Sequence, residues 1–129
     1  MPATPRSRRL LALVFLLWIC YTVTLSVIKV PEDKHISQWH LDVVFHYTSY
    51  LVMALLGVSL VSWWALLPAL AIAGGTELLQ GALPYRTASR ADFGVNLAGI
   101  ASGLLLWWGA GLLRRRRRNR EQKSQGARE

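Results

Sequence analysis

The chain is short of cysteine and, over long stretches, short of charge. Its single cysteine, Cys20, cannot form an intrachain disulfide and matches no metal-binding spacing, so a disulfide framework and a cysteine metal site are both excluded. Asp, Glu, Lys and Arg are all absent from residues 10–28, 43–76 and 93–113. Uncharged stretches of this length are unusual in a soluble domain, so a membrane protein is the first class to consider.

What the chain does contain is hydrophobic residues, which make up 53% of its 129 positions. A helix needs about 20 residues to cross the hydrocarbon core, so the first and last uncharged stretches each fit one span and the middle one fits two. Ser62, Trp63 and Trp64 mark a turn within the middle stretch, because tryptophan is favoured at the bilayer interface. The sequence therefore predicts an all-α, integral membrane four-helix bundle over residues 10–113. Its helices should span about 10–28, 42–61, 63–80 and 91–113.

Basic residues flank this bundle at both ends of the chain. Residues 1–9 carry three arginines, and residues 114–129 form a strongly basic tail that we expect to be disordered. Basic residues beside spans are retained in the cytoplasm, so both termini should be cytoplasmic in a multi-pass cell-membrane protein whose first helix is a retained anchor. The net charge of +8 is then an orientation signal that can also contact anionic lipid headgroups. No nucleic-acid partner is expected, because no recognisable nucleic-acid fold accompanies the basic run.

Polar side chains collect at the predicted outer ends of the second and third helices. Asp42, His46 and Tyr50 recur at helical spacing, and so do Glu77 and Gln80. Counted from their helix ends, His46 and Glu77 both lie about 6 Å inside. Ionisable groups beside hydrocarbon favour a functional site. A structural histidine bonded to a neighbouring carbonyl or carboxylate is the alternative for His46, and helix-dipole stabilisation is the alternative for Asp42.

The fourth helix adds a third element to this layer. Ser89 and Asp92 have the spacing of a helix start signal, so Asp92 has both a capping and a functional interpretation. Asn96 lies one turn deeper than Asp92, which places it at the predicted depth of His46 and Glu77.

Two arginines, Arg86 and Arg90, lie in the predicted outer loop and the helix start that follows it. A buried carboxylate requires a cation or hydrogen-bond donors, so we expect Glu77 to pair with Arg86, Arg90 or His46. Such bonds would hold the loop over the polar layer as a lid.

Four glycines are predicted packing positions: Gly74, Gly75, Gly99 and Gly103. The last two form a GxxxG motif, which permits close approach of another helix backbone. The motif is compatible both with packing inside the bundle and with a homodimer.

The polar pattern resembles that of the VanZ-like family of small integral membrane proteins. That pattern is an aspartate and a histidine leading a helix with a tyrosine, then E-x-x-Q, an arginine, a serine and D-x-x-x-N-x-x-G. The matching residues are Asp42, His46, Tyr50, Glu77, Gln80, Arg86, Ser89, Asp92, Asn96 and Gly99. Val43 departs from the pattern, since lysine usually follows the aspartate. The resemblance implies a multi-pass protein of the bacterial cytoplasmic membrane, linked in some members to low-level glycopeptide resistance, especially to teicoplanin.

Three functions are compatible with these observations. The favoured one is a non-enzymatic protein whose outward polar site binds a cell-envelope lipid, a peptidoglycan precursor or the antibiotic, because arginines above carboxylates and amides suit such ligands. The second is an intramembrane enzyme, metal-dependent or not, that uses His46, Glu77 and Asp92 as metal ligands or as acid-base groups. The third is a small transporter or assembly partner, and transport would need either a homodimer through Gly99 and Gly103 or another partner. No cofactor or metal is expected, since no metal-binding spacing is present.

Overall fold

The computed structural model describes residues 5–28, 41–84 and 90–126, and the regular structure of these residues is entirely helical. The helices are α1 (Pro5–Val27), α2 (Leu41–Val61), α3 (Leu66–Ala82) and α4 (Arg90–Gly126). A 3-10 turn, Ser62–Ala65, joins α2 to α3. The predicted all-α fold is thus confirmed, with four helices in the described part of the chain.

Three of these helices are long and apolar enough to cross a membrane: Pro5–Val27, Asp42–Trp64 and the long helix that begins at Arg90. α3 is shorter, with 17 residues. At 1.5 Å per residue it covers about 25 Å, which is less than the roughly 30 Å of the hydrocarbon core. The helix of the predicted third span, 63–80, begins at Leu66, because the preceding residues belong to the 3-10 turn, and α3 is not among the three helices of the described residues that reach the length of a full crossing.

The turn between α2 and α3 lies where the sequence predicted it. Ser62 adopts a φ of 63°, the left-handed region, and it is the only described residue other than glycine with a positive φ. A serine in this conformation costs on the order of 1 kcal/mol or more. The conformation ends α2 abruptly, and the rings of Trp63 and Trp64 stack at this end of the bundle with centroids 4.0 Å apart.

α4 continues well past the predicted end of the fourth span. The structure is helical through the arginine run as far as Gly126, where the sequence predicted a disordered tail from residue 114. Arginine, glutamine, glutamate and lysine are strong helix formers, and neither glycine nor proline occurs between Leu112 and Ser124. The expectation of disorder was therefore wrong for this segment, which extends the helix by about 20 Å.

The helices pack so that α2 and α3 contact each other and both of the remaining helices, whereas α1 and α4 make no contact with each other in the described residues. α2 and α4 run parallel. α1 is antiparallel to α2, since Arg8 lies beside Leu60 and Trp18 beside Ser49. The start of α1, the turn at Ser62 and the arginine run of α4 consequently lie at one end of the bundle, which we call the basic end.

Glycines set the distance between α2 and α4. A Cβ added at Gly99 would overlap the backbone oxygen of Tyr47, and one added at Gly103 would lie 2.7 Å from the backbone oxygen of Leu51 and 2.9 Å from Cβ of Ala54. Only glycine permits this approach. The GxxxG motif therefore packs inside the bundle, which was one of the two interpretations of its sequence.

The second glycine pair behaves differently. A Cβ added at Gly74 or Gly75 would meet no atom within 4 Å in the described part of the chain. The predicted close helix packing at these two positions has to be corrected accordingly. The open space beside them distinguishes these two glycines from Gly99 and Gly103.

The core contains one large side chain, Tyr50, and otherwise small and medium ones: Met53, Ala54, Ala69, Ala73 and Ile100. Large apolar side chains cover the outside instead, and Leu78, with 79% of its surface exposed, is an extreme case. An outer surface rich in exposed leucine and tryptophan suits contact with lipid.

Candidate functional site

Three polar side chains from three helices form a continuous hydrogen-bonded chain at the end of the bundle opposite the basic end. Nδ1 of His46 lies 3.0 Å from Oδ1 of Asn96, and Nδ2 of Asn96 donates to Oε1 of Glu77 at 3.4 Å. The exposed fractions of the three side chains are 6% for His46, 0% for Asn96 and 8% for Glu77. The predicted common depth of these residues is thereby confirmed. We call them the polar triad.

Helix geometry explains how the chain brings the triad together. His46 lies in the second turn of α2 and Asn96 in the second turn of α4, and these two helices are parallel. Glu77 lies near the C-terminal end of α3, which runs in the opposite direction. Each residue is therefore about one to two turns from the same end of the bundle. The glycines of α4 complete the arrangement, because they allow Asn96 to approach His46 within hydrogen-bonding distance.

The donor and the acceptor of each hydrogen bond in the triad can be assigned. A carboxylate can only accept, so the amide of Asn96 donates to Glu77 and its oxygen is left to accept from Nδ1–H of His46. In a neutral imidazole this assignment leaves Nε2 of His46 as an acceptor. The triad thus presents an acceptor at its α2 end and a carboxylate at its α3 end. Such a set can hydrogen-bond a polar ligand or exchange a proton with one.

One residue that was predicted to belong to the site, Tyr50, lies one turn below His46. It is fully buried, and its hydroxyl lies 2.9 Å from Oγ1 of Thr76. The hydroxyl of Thr76 donates to the backbone oxygens of Ile72 and Ala73, so Tyr50 is the donor to Thr76. Tyr50 therefore joins α2 to α3 beneath the triad.

Gln80 does not lie at the rim of the site, where the sequence placed it. It is buried, and its Nε2 donates to the backbone oxygen of Ser26 at 3.0 Å. The bond joins α3 to the end of α1. Gln80 therefore has a demonstrated structural contact, which corrects the expectation that it surrounds the site.

α1 covers one side of the cluster. Nε1 of Trp18 donates to the backbone oxygen of Ser49 at 2.9 Å, and the ring of Phe45 packs edge-on to both Tyr21 and His46. These aromatic contacts limit the access of water to the triad from this side. Hydrogen bonds inside the cluster are strengthened where water is excluded.

Thr22 of α1 has an unusual environment. Its side chain is fully buried, yet its Oγ1 is the one buried side-chain nitrogen or oxygen in the described residues that has no hydrogen-bond partner. An unpaired buried hydroxyl costs roughly 1–3 kcal/mol. Thr22 shares its buried helix face with Ser26 one turn on, so the face of α1 toward the cluster is polar.

The remaining predicted residues lie near the same end of the bundle or outside the described part of the chain. Asp42 and Arg90 are exposed at this end of the bundle, and Asp92 is half-buried in the first turn of α4. The expected pairing of Arg86 with Glu77 and the capping role of Ser89 both fall within residues 85–89, outside the described residues. The expected pairing of Glu77 with His46 takes an indirect form, since Asn96 lies between them.

Sequence reasoning missed one residue of the cluster, Thr76, which is buried and joins α3 to α2 through Tyr50. Ser49, which its spacing places on the helix face of His46, is also buried, and its backbone oxygen joins α2 to α1 through Trp18. A signal was present for Thr76. It directly precedes Glu77, and hydroxyl residues inside apolar helices tend to bond across to a neighbouring helix.

The donor set of the cluster does not resemble a metal centre. In the part of the chain that the structure describes, no three His, Cys, Asp or Glu side chains are grouped so as to hold a metal ion. The triad contains one imidazole, one amide and one carboxylate. Its described contacts are hydrogen bonds.

Comparison with models of known protein families, with curated proteins and with solved structures finds no match for this chain.

Proposed function

We propose that this chain is a multi-pass membrane protein of the VanZ-like type, whose polar triad forms part of an outward-facing site for a cell-envelope ligand. The observation that carries the proposal is the buried chain of hydrogen bonds from His46 through Asn96 to Glu77. Three polar side chains buried in apolar helices are costly to maintain for stability alone, because apolar side chains of similar size can pack as well.

The chemistry of the triad indicates the kind of ligand. Glu77 accepts hydrogen bonds from hydroxyl, amide or ammonium groups, and Nε2 of His46 offers a second acceptor. Arg90 is exposed at the same end of the bundle and supplies a cation suited to phosphate or carboxylate. A lipid headgroup or a peptidoglycan precursor carries both kinds of group. Binding such a ligand at the outer surface would alter susceptibility to glycopeptides, and to teicoplanin in particular.

The proposal is tested in a bacterial strain that lacks the gene and is complemented with variants. Glu77→Gln removes the carboxylate charge with little change of shape, and Arg86→Ala tests the arginine that the sequence places above the triad. We expect both variants to lose the teicoplanin tolerance conferred by the wild-type chain while reaching the membrane in equal amount, as measured by immunoblotting of membrane fractions.

A matched control is Glu121→Gln, which makes the same carboxylate-to-amide change on the exposed extension of α4. It should retain the wild-type tolerance. Wild-type tolerance in both Glu77→Gln and Arg86→Ala would overturn the proposed site, and identical susceptibility with and without the gene would overturn the role in resistance.

A further inference from the structure

The basic end of the bundle contains a second candidate site, which is unrelated to the polar triad. The contacts of Gly99 and Gly103 with α2 establish the register of these two parallel helices. Carried along both helices, this register puts Ser62, where α2 ends, beside Leu112 of α4. The arginine run that begins at Arg114 therefore leaves the bundle directly at this end.

Arginines from the start of the chain lie at the same end. Nη2 of Arg8 is 3.5 Å from the backbone oxygen of Leu60, in the last turn of α2. Arg6 and Arg9 are exposed on the same first turns of α1. Positive charge from both ends of the chain is thus concentrated at one level of the bundle, where an anionic membrane surface would be attracted.

A notch in the surface of α4 lies just inside this level. It is lined by Trp107, Trp108, Gly111, Leu112 and Arg115 and has a volume of about 100 Å³. Both indole rings are exposed on the outer surface of the bundle. A Cβ added at Gly111 would meet no atom within 4 Å, so the glycine leaves the floor of the notch open.

The size and lining of the notch restrict what can occupy it. Sites for drug-sized soluble molecules measure about 300–1,000 Å³, so this notch is too small for one, but it can take a segment of an acyl chain. Tryptophan is favoured at the level of lipid headgroups. Arg115 follows one turn after Gly111, toward the membrane surface, and a guanidinium binds phosphate through paired hydrogen bonds.

We propose that this notch binds an anionic phospholipid. The acyl chain lies over Gly111 beside Trp107 and Trp108, and the lipid phosphate lies against Arg115, whose apolar stem follows the helix surface. Arg114 and Arg118 strengthen the electrostatic attraction of the anionic headgroup without contacting the acyl chain of the lipid. The site is independent of the function proposed for the polar triad.

The experiment uses the full-length protein, purified from membranes containing equal amounts of phosphatidylglycerol and phosphatidylcholine with identical acyl chains. Native mass spectrometry then measures the ratio of the two lipids retained. We expect wild-type protein to retain phosphatidylglycerol preferentially. Arg115→Gln, which removes the cation beside the headgroup, should lower the relative association constant about fivefold, the contribution expected of one cation beside an anionic headgroup. Gly111→Leu, which fills the notch, should also lower this constant, because the displaced acyl chain no longer holds the headgroup against Arg115.

Two controls make the same chemical changes on the opposite side of α4. Arg117→Gln removes an equal charge, and Gly109→Leu adds the same side chain where the structure also leaves open space. Both should keep the wild-type lipid ratio. Equal retention of the two lipids by wild-type protein would overturn the proposal. An equal loss in all four variants would also overturn it, because that result indicates diffuse attraction to the arginines instead of a site.

Discussion

The contact between α2 and α4 can be tested by adding a single methyl group at Gly103. In Gly103→Ala the new Cβ would lie 2.7 Å from the backbone oxygen of Leu51 and 2.9 Å from Cβ of Ala54. Carbon atoms in favourable contact are about 3.5–4.0 Å apart, so the two helices must separate by more than half an ångström. Neither neighbouring atom can rotate away, because the Leu51 oxygen belongs to the backbone and Cβ of Ala54 is bonded directly to the backbone.

The expected loss follows from the cost of overpacking, which is about 1–3 kcal/mol. Alanine also favours the helix over glycine by up to about 1 kcal/mol, which partly offsets this loss. Gly109→Ala isolates the packing contribution, because it makes the same change in the same helix with no atom within 4 Å of the added Cβ. We expect Gly103→Ala to be less stable than Gly109→Ala by about 2 kcal/mol, which is roughly a 30-fold difference in the unfolding equilibrium.

The assay is reversible unfolding of the purified protein in mixed micelles of mild detergent and increasing dodecyl sulfate, followed by far-ultraviolet circular dichroism. Separation of α2 and α4 should also lengthen the bond between His46 and Asn96, about 10 Å along the helix. The imidazole resonance of His46 in nuclear magnetic resonance spectra would report this change. If Gly103→Ala unfolds at the same dodecyl sulfate fraction as Gly109→Ala, the close helix contact is refuted.

Two further predictions concern the hydrogen bonds of the cluster, with the same unfolding assay. Asn96→Ala leaves His46 and Glu77 without their shared partner, so we expect a loss of about 1–3 kcal/mol in the free energy of unfolding; unchanged stability would contradict a buried triad. Tyr50→Phe removes only the hydroxyl, and Thr76 keeps its bonds to backbone oxygens, so the loss should be about 0.6 kcal/mol, as is typical between membrane helices. A loss in Tyr50→Phe as large as that in Asn96→Ala would show that Tyr50 has more partners than this one.

The helices and the depth of the polar layer were predictable because both depend on local properties. Uncharged stretches of span length predict helices, and a rise of 1.5 Å per residue converts a position into a depth. These rules placed His46, Glu77 and Asn96 together and located the turn at Ser62. The same rules placed the start of the third helix three residues too early, because the 3-10 turn uses residues that hydropathy alone assigns to the helix.

Partners inside the layer were not predictable in the same way. Glu77 was expected to pair with Arg86, Arg90 or His46. Its link to His46 runs through Asn96, and Arg86 lies outside the described residues. Gln80 has the same helical spacing and polarity as a site residue, yet it bonds to the backbone of Ser26 on α1. Which partner a side chain reaches depends on the rotation of its helix about the helix axis. That rotation depends on the contacts of the helix with all of its neighbours.

By itself, the sequence determined that the chain is helical and largely apolar, that its second helix ends in a turn at Ser62, and that His46, Glu77 and Asn96 lie at one depth near one end of the bundle. Tertiary structure decided which glycines admit another helix: Gly99 and Gly103 face the backbone of α2, whereas Gly74 and Gly75 face open space. The physical reason is that hydrophobicity and helical rise are summed along one chain segment. Close packing and hydrogen bonding instead require two segments to meet at a particular register and rotation, which no single segment specifies.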